Sequence, residues 1–421
     1  MKIKVLFPIV LVLIVAVFVV NRIYGNKIAK EIDADLQAKM AQNELPVTIE
    51  YSKLKVNPLF SEVTIANLSV GGLRGDVLFS SNSVDIDIPY NEALRLAESS
   101  DFEEINSLKL TFVDPLLEMV GYKMSLSFTD LTIDFDGHLT KADFEQLQDQ
   151  FPATKQTLKC SFSSFEMQLP EAFLKMSPFS DLQKQFTQFD KGSYILAYLP
   201  GTNALNVTEV ELKSSVVSYS GNTTIHYEGS GLKNFVLKST STESDLLFQP
   251  KDISWEDKKG GNGELELKRL KMSVNSTANM NGKTFPEGEM KLEVENLKAK
   301  YNNPKQSQNS PMQLSFNDFE LENLTVNYRQ SKEKLSITDT EIESSLLNAT
   351  VFADIDMDTV NVANSTINAA KVEVRELAPN LEEMLSSFEQ RLGKELPRED
   401  GVIVLELSGK LLRPTIKGFD F

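Results

Sequence analysis

The chain has 421 residues, of which 41% are hydrophobic and 24% charged, with 25 Phe, one Cys and two His. That apolar content excludes a disordered polymer, and a lone cysteine, Cys160, excludes an intramolecular disulfide framework. Lys and Arg number 43 against 60 Asp and Glu, a formal charge of −17, which argues against a phosphate-tracking nucleic-acid binder.

The first element is an apolar run. Val5–Val20 reads VLFPIVLVLIVAVFVV, with Lys2 and Lys4 before it and Asn21 and Arg22 after it. At 1.5 Å per residue its core is about 24 Å, and Ile3, Ile23 and Tyr24 extend it towards the ~30 Å of a bilayer's hydrocarbon. It exceeds the roughly 7–15 residues of a signal-peptide core, and no Ala-x-Ala cleavage pattern follows. The spacing predicts one transmembrane anchor over 1–24, with the remaining mass on one side of the membrane. Ile28, Ile32, Leu36 and Met40 then recur every four residues, which predicts an amphipathic connecting helix over 25–44.

From 45 to 421 the dominant period is two, the signature of strands with one buried and one solvated face. Val47-x-Ile49-x-Tyr51, Val84-x-Ile86-x-Ile88, Leu108-x-Leu110-x-Phe112 and Val402-x-Val404 show it. Gly71-Gly72, Ser220-Gly221-Asn222 and Lys258–Gly263 read as hairpin turns. The expectation is one mainly β domain: a long curved antiparallel sheet, groove-like or open and barrel-like, with a few short helices. Those helices are expected at Asn91–Ala97, at Phe144–Phe151, at Phe179–Phe189 and, behind Pro379, along Leu381, Leu385, Phe388 and Leu392 up to Gly393. Each is read as a lid on the sheet.

A short unit recurs within the strands: apolar-x-apolar-x-Asn/Asp-apolar-x-apolar. It occurs as Val63-x-Ile65-x-Asn67-Leu68-x-Val70, Leu126-x-Phe128-x-Asp130-Leu131-x-Ile133, Leu292-x-Val294-x-Asn296-Leu297-x-Ala299 and Phe319-x-Leu321-x-Asn323-Leu324-x-Val326. Looser copies begin at Cys160 and Leu265. The apolar phase slips by one residue at the Asn-Leu step, so a bulge or bend is expected there. Val63, Ile65, Leu126, Phe128, Leu292, Val294, Phe319 and Leu321 are the candidate face residues.

Chemistry is sparse. His138 follows Asp134-x-Asp136-Gly137, which reads as a strand end and turn lacking the ligands of a calcium loop. Asp354-x-Asp356-x-Asp358 reads as one solvated strand face, and His226 has no nucleophile motif around it. Asn67, Asn206, Asn222, Asn275, Asn323, Asn348 and Asn364 begin Asn-x-Ser/Thr triplets, which follow from a polar strand face. No catalytic residue, metal site or cofactor is expected, and the chain is not expected to be an enzyme.

The anchor, the stretch Ile49-Glu50-Tyr51 to Asn57-Pro58-Leu59-Phe60-Ser61-Glu62-Val63-Thr64-Ile65-Ala66-Asn67-Leu68, the segments Val84–Ile88 and Ile105–Leu110, and the closing Leu407–Ile416 together resemble the AsmA-like proteins of the Gram-negative envelope. The chain is also similar to the YdgA-like single-pass envelope family, through the anchor, Tyr24-Gly25 and an extended strand. The AsmA resemblance implies a periplasmic sheet curled into a groove and held by an inner-membrane anchor. Its apolar face would shield phospholipid acyl chains, as in bridge-like lipid-transfer proteins. The pattern itself leaves open a closed β core that presents an acidic surface to an envelope protein partner.

Overall fold

The computed structural model describes residues 21–34, 36–38, 47–72, 75, 77–92, 104–170, 185, 187–250, 253–256, 262–280, 286–302, 318–358 and 361–418. The fold is mainly β, with long antiparallel strands and few short helices. Residues 1–20 of the expected span over 1–24 lie outside the described residues, among which no helix is long and apolar enough to cross a membrane. The chain divides into two compact units: Met1–Glu171 with Thr187–Leu205 and Gly229–Phe235, and Ala172–Phe186 with Asn206–Glu228 and Val236–Phe421.

In the first unit the strands are β1 (Val47–Glu50), β2 (Lys53–Asn57), β3 (Glu62–Gly72), β4 (Val77–Asp87), β5 (Glu104–Val113), β6 (Leu116–Met119), β7 (Met124–Ser127), β8 (Asp130–Thr140), β9 (Gln156–Gln168) and β10 (Gln188–Leu199). The strands β3, β4 and β9 each change neighbour partway along. β3 pairs with β2 over Glu62–Ala66 and with β1 over Ser69–Gly72, and β4 pairs with β5 over Ser83–Asp87 and with β6 over Val77–Ser80. β9 pairs with β8 up to Ser163 and with β7 from Glu166.

These changes fall on one line. Asn67 faces Asn82, since Ala66 pairs with Ser83 and Leu68 with Ser81. Asp114-Pro115 separates β5 from β6, Phe128-Thr129 separates β7 from β8, and Ser164 lies between the pairs Ser163–Lys191 and Phe165–Phe189. Asn67, Asp114 and Ser164 have φ of 51°, 48° and 49°, a left-handed backbone that Asn and Asp tolerate better than most residues. The expected slip at the recurrent unit is therefore a kink that neighbouring strands make together. The Ser81 hydroxyl donates across it to the carbonyls of Ser83 and Val113, both at 2.8 Å, and Asn82 Nδ2 donates to Asp114 Oδ2 at 2.9 Å.

The second unit holds β11 (Ala204–Lys213), β12 (Val217–Glu228), β13 (Val236–Phe248), β14 (Ile253–Glu256), β15 (Asn262–Asn279), β16 (Glu287–Asn302), β17 (Asp318–Ser331), β18 (Lys334–Ser344), β19 (Leu347–Asp356), β20 (Thr366–Leu377), β21 (Arg398–Glu399), β22 (Val402–Lys410) and β23 (Arg413–Ile416). β12, β13, β15, β16, β17, β18, β19, β20 and β22 pair antiparallel in that order, with β14 continuing the β13 row against β15. Asn296, at φ 49°, kinks β16 opposite Lys268 and Glu322.

Several expectations change. Ser220-Gly221-Asn222 lies inside β12, where a Cβ on Gly221 would come within 2.8 Å of the Glu243 carbonyl oxygen; this glycine serves close strand approach, not a turn. Asp136-Gly137 likewise continues β8 to Thr140, with an irregular register against Ile105–Ser107. Phe189 belongs to β10, and the helix near Phe144 is short, Lys141–Gln146. Residues 93–97 of the first expected lid and 179–184 and 186 of the third lie outside the described residues, as does 303–317.

Residues 21–34 are helical, and the buried positions are Gly25 and Ala29, not the Ile28–Ile32 stripe; Ile32 is 38% exposed. A Cβ on Gly25 would lie 2.1 Å from the Val56 carbonyl oxygen, so small residues let the helix lie on β2 and cover a strand edge. Tyr51 donates from its hydroxyl to Asp33.

The fourth expected helix is present as Pro379–Leu392, closed by Gly393 at φ 62°. Leu385 packs against the buried pair Leu396 and Ile403, as Val374 and Leu405 do from the strands, so this helix covers the last strands as a lid, while Phe388 points away at 44% exposure. Glu389 holds the returning chain: it accepts from the Leu396 amide at 2.7 Å and pairs with Arg398 at 2.9 Å. The hydrogen bond from Arg398, with that from Leu396, holds the Glu389 carboxyl below its ordinary range. A depressed folded pKa means the contribution is complete above the unfolded carboxyl value of about 4.3 and is lost as pH falls through the folded value. The protection of the Leu396 amide against hydrogen exchange, corrected for the intrinsic rate at each pH, should therefore fall on acidification below about pH 4, and Glu389→Gln should remove most of that pH dependence. An unchanged slope in the variant would detach Glu389 from the effect.

Candidate functional site

Directly opposed residues of antiparallel strands share a face, so the registers define the faces. In the first unit one row runs Val56, Val63, Ile86, Leu110, Ile133, Cys160 and Tyr194. The next runs Leu54, Ile65, Val84, Phe112, Leu131 and Phe162. Beyond the kink line Val70, Phe79, Leu117, Leu126 and Met167 continue it. Phe79 and Phe112 meet edge to face across the line, with centroids 5.5 Å apart. The kink thus keeps both halves of each strand apolar on one side.

Phe128 sits on the kink itself, among Phe162 at 5.4 Å and Phe165 at 5.1 Å, with Phe189 6.0 Å beyond Phe165. Val63, Ile65, Leu126 and Phe128 are all half-buried. Val84 and Cys160, at 3% and 5% exposure, mark the covered middle of the face. Burial pushes the Tyr194 hydroxyl up to about 12, with Cys160 adding to the shift, and burial raises the Cys160 thiol as well.

In the second unit Leu292 lies between Met272 and Val326, and Val294 between Leu270 and Leu324; Leu297 and Leu321 face each other, as do Ala299 and Phe319. The rows continue through Leu246, Phe248 and Tyr219 on one side and through Ile342, Ala349 and Val374 on the other. Val294 and Leu321 are buried, at 7% and 6%, whereas Leu292 and Phe319 are half-buried. The eight candidates therefore form two groups of four, each on the apolar face of its own unit.

The reverse faces are polar. Lys55, Thr64, Asp85, Thr111, Thr132, Ser161 and Ser193 make one row in the first unit. In the second, Lys271, Glu293, Thr325, Glu341, Thr350 and Glu373 do the same. Lys291 bonds Glu293 at 2.7 Å and holds its carboxyl below the usual range, and Lys371 does so for Glu373 at 2.6 Å. Such exposed ladders keep a sheet soluble and specify which side meets water, and add little to stability.

Phe79, Phe112, Phe162, Phe165 and Phe189 belong to the face but not to the eight candidates. Phe162 and Phe165 were open to detection in the looser copy Cys160-x-Phe162-x-Ser164-Phe165. Comparison with protein-family models, curated proteins and solved structures finds no match.

Proposed function

We propose that this chain is a non-enzymatic lipid-handling protein of the bacterial envelope. An N-terminal span anchors it in the inner membrane, and its curved sheet faces the periplasm as a groove or open barrel-like surface. Phospholipid acyl chains lie against the apolar faces that carry Val63, Ile65, Leu126 and Phe128 in one unit and Leu292, Val294, Phe319 and Leu321 in the other. The resemblance to AsmA-like proteins suggests this use. The observation that carries it is the continuity of the apolar rows: strand after strand presents large side chains to one side, most of them half-exposed. An apolar face of that extent calls for a cover, and acyl chains match it without directional bonding.

The second reading is a closed core with an acidic outer face that meets an envelope protein. The burial of Val294, Leu321 and Ile403 favours it locally. Native mass spectrometry of residues 21–421, expressed without the apolar run, separates the two. Phospholipid adducts on the purified protein are expected; a lipid-free species under the gentlest ionisation would favour the closed core.

A further inference from the structure

Asn21 is the first residue after the apolar run, and both ends of its side-chain amide are bonded to the β2–β3 turn. Its Nδ2 donates to Asn57 Oδ1 at 2.7 Å, and its Oδ1 accepts the Leu59 amide at 2.8 Å. One helical turn later, Gly25 lies so close to this corner that a Cβ would meet Pro58 Cδ at 3.2 Å as well as the Val56 carbonyl. The turn is therefore fixed to the point where the run ends.

The same corner is apolar outwards. Leu59 is 44% exposed and Phe60 62%, and on the adjacent helix Ile23 and Tyr24 are 63% and 60% exposed. Hairpin tips ordinarily take Gly, Asn, Asp or Ser, because these suit both turn geometry and water. A Leu-Phe pair at a tip, beside Ile and Tyr, suits a medium that is apolar on one side and wet on the other.

We propose that the β2–β3 turn dips into the bilayer interface beside the anchor, with Leu59 and Phe60 in the headgroup–acyl boundary of a phospholipid membrane. This rests on reading Val5–Val20 as a membrane span. Asn21 lies in the last turn of the anchor expected over 1–24, at the interface, and the Leu59 backbone is one hydrogen bond from it. Phe60 is one residue further, about 3.8 Å along the chain. The placement has a consequence for lipid handling. Val63, where the apolar face of the first unit begins, is three residues beyond Phe60, about 10 Å along an extended chain, so an acyl chain leaving the bilayer at this turn meets that face directly.

The test uses the full-length chain in vesicles of phosphatidylethanolamine and phosphatidylglycerol, with the F60W, L59W and Y122W variants. Tyr122 is 74% exposed at the β6–β7 turn, at the other end of this unit's strands. The signal of Trp255 is subtracted with the unsubstituted chain. Lipids brominated in the acyl chain should quench F60W and L59W several-fold more than Y122W, and aqueous acrylamide should show the reverse order. Equal acrylamide quenching at all three positions, in protein that stays in carbonate-washed vesicles, overturns the dipping turn and leaves the span standing. Release of the protein by carbonate overturns both.

Discussion

Phe128→Asp is expected to leave the protein folded but without bound lipid, whereas Leu321→Asp is expected to unfold the second unit. The difference lies in what surrounds the new carboxylate. Phe128 is half-buried and touches Phe162 and Phe165. Its loss removes two aromatic contacts, about 0.5–1.5 kcal/mol each, and part of a burial term of about 1.5–3 kcal/mol. The carboxylate remains hydrated from the open side when no lipid is present. A domain stable by about 5–15 kcal/mol survives such a change, but the apolar track is interrupted at its aromatic centre. Leu321 is 6% exposed and faces Leu297. There the carboxylate is buried among apolar side chains, and its burial costs several kcal/mol, on top of about 2–5 kcal/mol for the lost leucine. Phe319, half-buried, should follow Phe128. Thermal unfolding and bound phospholipid per protein are the two readouts for each variant. Unfolding of Phe128→Asp to the same extent as Leu321→Asp would support a closed core; normal folding with normal lipid would mean that the lipid lies elsewhere.

Much of the architecture is legible in the order of residues because a strand's period and its interruption both leave a mark. An odd step between apolar pairs, with Asn or Asp at the step, is a backbone requirement written as composition. Asn67 and Asn296 meet it by adopting positive φ. Legibility fails where a residue has two physical uses. Glycine signals a turn by its conformational freedom, yet Gly137 and Gly221 sit inside strands, Gly221 because the backbone of its neighbour comes too close for a Cβ. A helical stripe signals burial by its large residues, yet the helix over 21–34 buries Gly25 and Ala29, because its partner is a strand edge at backbone distance. Phe189 fits a helical spacing with Phe186 and Leu182, but a long-range pairing with β9 places it in a strand. The eight candidate residues follow from local alternation; their separation into two units does not, because no change of composition or linker marks it.

Deleting Asn296 should be more damaging than any single substitution at that position. β16 keeps one register with β15 and with β17 on both sides of the kink, because Lys268 and Glu322 stand opposite Asn296 as the matching residues of the neighbours. With Asn296 gone, one half of β16 must slip by a residue. Leu297 then faces Lys268 and Glu322 in place of Leu267 and Leu321, and the slipped half exchanges its faces relative to both partners. Each apolar side chain so displaced loses up to about 1.5–3 kcal/mol of burial, and Leu297, Ala299, Leu267 and Leu321 are all affected. The loss approaches the whole stability of a domain, so a cooperative unfolding transition should disappear from the second unit. Asn296→Gly, which accepts φ of 49°, should stay within a few tenths of a kcal/mol of the parent, and Asn296→Val should lose about 1–2 kcal/mol, because a β-branched residue resists that backbone. Removing Lys268 and Glu322 together with Asn296 realigns the three strands. The neighbours can absorb that change: residues 249–252 separate β13 from β14, and β17 already carries one residue more than β18 between Leu321 and Asn323. The triple deletion should therefore recover much of the stability that the single deletion loses. Thermal unfolding followed by near-ultraviolet circular dichroism reads all four variants, and a single deletion as stable as the parent would show that the kink does not set the register.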